Sequence, residues 1–96
     1  MKLDLNKVLV GLDGKELKMG EDSMTVGKML AGVVSNSKST EFDHFKKFSM
    51  ATKFYNDSEA DLDKADSDKL LRLIEQDTNF GSIILGQLIG IVKEMS

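Results

Sequence analysis

Beyond Thr25 the apolar residues of this 96-residue chain recur at helical spacing in short runs, each followed by a polar break. That pattern restricts the chain to short helices packed on one another. In the first run, about Thr25 to Ser35, Val26, Met29, Leu30, Val33 and Val34 fill one arc of the helical wheel. Lys28, Ser35 and Asn36 fill the other, and Ser23 or Thr25 is the expected N-cap. The polar stretch "SNSKST" ends this run. Thr40, with Asp43 three residues on, then forms a capping box for a second helix reaching about Asn56. A third helix begins within "EADLDKADSDKLLRLIE", and a fourth runs from about Phe80 to Met95 after the linker "DTNFG".

Residues 3–18 read differently. Leu3, Leu5, Val8 and Val10 are strand-forming, Asp13-Gly14-Lys15 supplies a turn, and "ELKM" returns, so this segment is expected to be a β-hairpin lying on the helices. The expected fold is mainly α, with an N-terminal β-hairpin followed by a bundle of about four short helices in residues 25–95 of a single domain.

A chain of this length buries roughly 60 to 65 per cent of its unfolded surface, which makes a thin core. Cysteine is absent, which excludes disulfides, thiolate nucleophiles and zinc-thiolate sites. The apolar run near the amino end is too short for a signal-peptide core, and "SIILGQLIGIV" is too short to span a bilayer. No membrane association is expected, and a cytoplasmic location fits. The formal net charge of -3 gives no overall attraction for nucleic acid.

The acidic stretch raises the question of calcium. An EF-hand loop needs oxygen ligands at its first, third and fifth positions, then glycine, then a closing glutamate. From Asp61 the fifth position is Ala65 and the closing one is Arg72; from Asp66 the fifth is Leu70. Both registers fail. A helix start accounts for the acids better, with Asp63 as N-cap, Asp66 and Asp68 in the first turn, and Leu70, Leu71, Leu73 and Ile74 as the buried stripe. No metal or other cofactor is expected.

His44 is the only histidine, and Ser49 on the same helix cannot share a pocket with it, so no catalytic triad is expected. Nucleotide-binding glycine loops and nucleophile elbows are missing too, and the chain reads as a non-enzyme. Two surfaces for a macromolecular partner remain. One is basic: Lys46, Lys47 and Lys53 on the outer side of the second helix, with Lys38 just before it, offer a possible nucleic-acid contact.

The other is a surface for protein contact. On the second helix Phe45, Phe48, Ala51 and Tyr55 form one face, leaving Phe42, Met50 and Phe54 to be covered by the hairpin or by a partner. On the fourth helix Ile84, Leu85, Leu88, Ile91, Val92 and Met95 fill a broad arc, with Gly86 and Gly90 opposite. Glycine inside a helix costs roughly 1 kcal/mol against alanine. Close approach by another helix or subunit would explain the pair; tolerance beside the hairpin is the alternative. Met50, Phe54, Gly86 and Gly90 are therefore the candidate protein-contact residues, and the chain is expected to act by protein contact as a homo-oligomer, another protein being the other partner.

Several short motifs occur in a recognisable order. They are "LDGK" at the turn, "TVGKML" at Thr25 to Leu30, "FKKFSMATKFY" at Phe45 to Tyr55, "ADLDKAD" at Ala60 to Asp66, and "ILGQL" at Ile84 to Leu88. The order resembles a loose group of small, uncharacterised proteins of tailed bacteriophages and prophages, over about residues 8–92. In that group a serine or threonine is more usual where Asp63 stands. The resemblance implies a phage or prophage origin, with action in the host cell on another phage or host protein or on a second copy. It brings no known activity.

Overall fold

The helices begin where polar side chains take up free backbone amides. In the computed structural model, which describes residues 2–95, α1 spans Val26–Asn36, α2 His44–Asn56, α3 Lys64–Gln76 and α4 Ser82–Met95. Thr25 caps α1 by accepting from Lys28 N, and Asp63 caps α3 by accepting from Asp66 N. The chain is an α+β protein built on these four helices, with short antiparallel strand pairs.

The cap of α2 differs from expectation. Asp43 is the N-cap itself, its carboxylate accepting from Lys46 N at 2.7 Å, while Thr40 stays outside the helix. The residue before the cap, Phe42, turns into the core, which sets where the helix can start.

Strand β1, Lys2–Asp4, pairs with β4, Glu59–Asp61, in the register Leu3 opposite Ala60. A hairpin over residues 3–18 is thereby corrected to a shorter one. Asp4 accepts the N–H of Asn6 in an Asx turn that ends β1, so Leu3 and Leu5 pair with the segment between α2 and α3. The remaining hairpin is local. Val10 bridges Glu16 around a turn where Gly14 has φ +80°, and β2, Lys18–Met19, then pairs with β3, Asp22–Ser23.

Between the strands, the chain from Leu5 to Leu9 lies along the start of α1. Leu5 O accepts from Gly27 N and Lys7 O from Val26 N, so two amides that have no acceptor within the helix are satisfied by tertiary structure. Gly27 makes this approach possible, because a Cβ there would overlap the carbonyl oxygen of Phe54 and press on Leu5. The core gathers around α1: Val26, Leu30, Val33 and Val34 meet Leu3, Leu5, Phe54, Leu70, Ile74, Leu88 and Val92 in one cluster. Leu71, expected in the stripe of α3, is only half-buried. The side chain of Met95 lies outside the described residues.

Candidate interaction surface

The second helix carries two apolar arcs, and the fold buries one of them. Met50 is 7% exposed and Phe54 2%, whereas Phe45 is 80% exposed, Phe48 65% and Tyr55 60%. Met50 and Phe54 are thus corrected from contact residues to core residues, packed inside their own chain with Phe42. Lys47 helps to decide the choice. Its stem is buried on the Phe54 side, and its Nζ donates to Ser37 O at 2.9 Å beyond the end of α1, where helix carbonyls lack partners.

What remains outside is an aromatic stripe. Phe45, Phe48, Thr52 and Tyr55 follow one another at spacings of three, four and three residues, so they share one face of α2. The Thr52 hydroxyl donates to Phe48 O at 2.8 Å and is satisfied within the helix. Beside the stripe a groove of about 460 Å³ opens between α1 and α2, lined by Ala31, Gly32, Ala51 and Tyr55 among others. Lys28 stands over the Tyr55 ring, 6.0 Å from its centroid, at a range where ammonium and ring attract each other.

The four lysines do not form one basic face. Lys47 is buried and bonded to backbone, and Lys46 lies 3.4 Å from Asp66 Oδ2 at the start of α3. Lys38 and Lys53 are exposed but apart, Lys38 in the loop after α1 and Lys53 in the last turn of α2. Lys38 borders a polar cavity of about 590 Å³ between the loops that follow α1 and α3, lined also by Asn36, Gln76, Asp77 and Asn79.

Gly86 and Gly90 are exposed on α4, and a Cβ at either would meet nothing within 4 Å. The close approach within this chain is at Gly27 instead, and at Gly32, where the Phe80 ring would lie 3.0 Å from a Cβ. The acids of the stretch from Asp61 to Asp68 are spread over β4, the cap and the first turns of α3. No group of three histidine, cysteine or acidic side chains suited to a metal ion occurs among the described residues. His44 is exposed in the first turn of α2.

Comparison with protein-family models, with curated proteins and with solved structures finds no match. Among the described residues no helix is long and apolar enough to cross a membrane. The exposed stripe was visible in the sequence as a face of α2, but not as the outward one. Its three-four-three spacing was the available signal.

Proposed function

We propose that this chain is a non-enzymatic protein that works by protein contact through the aromatic face of α2. The observation that supports it most is the exposure of Phe45, Phe48 and Tyr55 along one stripe. Burying a side chain of this size yields roughly 1.5 to 3 kcal/mol, so a thin-cored chain that leaves three outside on one face forgoes much of its available stability. Covering by another protein recovers it. The resemblance of its motif order to small phage and prophage proteins supports a role inside the host cell. Gly86 and Gly90 lie on α4 and carry no part of this reading.

A nucleic-acid contact through Lys38, Lys46, Lys47 and Lys53 is the alternative. It is less favoured because Lys47 is committed to Ser37 O and Lys46 to Asp66. One experiment separates the two. A photo-crosslinking amino acid at position 48, in cells expressing the full chain, is expected to give protein adducts resistant to nuclease, and one at the exposed Leu12 is not. Nuclease-sensitive adducts would favour nucleic acid, and no adduct at position 48 would remove the protein-contact reading.

A further inference from the structure

We infer that the aromatic face of α2 is made for a second copy of this chain, with the two α2 helices packed antiparallel across a twofold axis. This rests on the reading of that face as a contact surface. The spacing of Phe45, Phe48, Thr52 and Tyr55 is that of the a and d positions of a helix-pairing seam. Over its 13 residues α2 is roughly 20 Å long, enough for about two turns of interlocking side chains on each side of the axis.

Side-chain size selects the orientation. Antiparallel helices with the axis between Phe48 and Thr52 set each Phe48 against the one small seam residue, Thr52 of the second copy, and each Phe45 against Tyr55. Parallel helices would stack Phe48 on Phe48 and Thr52 on Thr52, crowding one layer and leaving a gap in the next. Because Thr52 Oγ1 already donates to Phe48 O, the seam receives the threonine methyl and strands no hydroxyl. The groove beside Tyr55, floored by Ala31 and Gly32, opens where Phe45 of the second copy arrives.

Charge agrees with self-pairing. The positions flanking the seam are His44, Ser49, Ala51 and Asn56, with no acid and no lysine among them. Lys46 is turned toward Asp66 and Lys47 inward, so two copies meet at the seam without like-charge repulsion. Lys28 of α1 stands over the Tyr55 ring at one end of the seam, and the twofold axis places its two copies at opposite ends of the dimer. Opposed helix directions also set each α2 dipole favourably against the other. A seam of two short helices is small for a protein interface, so the dimer is expected to be reversible.

Sedimentation equilibrium up to about 1 mM tests this. The wild-type chain is expected to move from monomer to dimer across that range. Phe48→Glu is expected to stay monomeric with an unchanged melting curve, since residue 48 is exposed in the monomer. Thr52→Phe is expected to weaken the dimer at least about tenfold, because a second large ring then meets Phe48. The chain has no cysteine, so mixing Phe48→Cys and Thr52→Cys chains under oxidation reports direction. A mixed 48–52 disulfide is expected, and predominance of same-position disulfides overturns the antiparallel seam. A wild-type monomer throughout, or a dimer indifferent to Phe48→Glu, overturns the inference. If crosslinks from position 48 still form to a protein of another mass, the second copy fails while the contact surface stands. If they are absent as well, both readings fail.

Discussion

The side-chain amide of Gln87 closes on the backbone of Val10: Nε2 donates to Val10 O at 2.6 Å and Oε1 accepts from Val10 N at 3.0 Å. A residue of α4 thus occupies the place of a neighbouring strand for the N-terminal hairpin, and Nε2 also donates to Ile83 O within its own helix. Gln87→Ala is expected to cost about 1 to 2 kcal/mol in urea unfolding, the value of two hydrogen bonds at a partly exposed edge. Amide exchange at Val10 should quicken in the same variant. An unchanged exchange rate would show that the amide of Gln87 does not hold the hairpin.

Gly27 and Gly90 should respond oppositely to the same substitution. At Gly27 the added methyl overlaps the Phe54 carbonyl, so Gly27→Ala is expected to cost more than about 3 kcal/mol or to prevent folding. At Gly90 the space is open and the backbone helical, and Gly90→Ala is expected to stabilise by about 0.5 to 1 kcal/mol. Thermal melts of the two variants make the comparison, and equal effects would contradict it.

Ser67 is wholly buried on α3, and its hydroxyl has no hydrogen-bond partner among the described residues. Burying such a group unpaired is unfavourable, so Ser67→Ala should raise stability by about 1 kcal/mol. A loss of stability in chemical unfolding would reveal a partner for the hydroxyl.

Arg72 of α3 donates from Nε to Glu41 Oε1 at 2.6 Å, tying α3 to the segment ahead of α2. This hydrogen bond, with the charge of the guanidinium, holds the Glu41 carboxyl below its ordinary value of 4.5. A carboxylate depressed in the folded state adds stability above its unfolded pKa and loses it as pH falls through its folded pKa. Stability should therefore decline on acidification below about pH 4.5. Arg72→Gln should flatten that part of the profile while leaving the other carboxylates as they were. Parallel profiles for the two proteins would remove the pair from the acid response.

The features read correctly from residues alone are those whose physics is local. Thr25 and Asp63 cap amides three residues ahead, and Gly14 takes the positive φ of its turn, so neighbours in sequence decide these elements.

Facing is another matter. Phe45, Phe48 and Tyr55 form as good an apolar arc as Phe54, Met50 and Phe42, and the periodicity of α2 does not distinguish them. The distinction comes from Lys47 reaching Ser37 and from α1 closing on Phe54 at Gly27, which are contacts between separate elements. The pairing of β1 with β4 likewise joins segments at opposite sides of two helices. By itself the sequence determined the mainly helical character, the caps of α1 and α3 and the local turn, because each rests on bonds within a few residues. Only the tertiary structure decided which face of α2 meets water, because that is a competition for one core among side chains far apart in the chain.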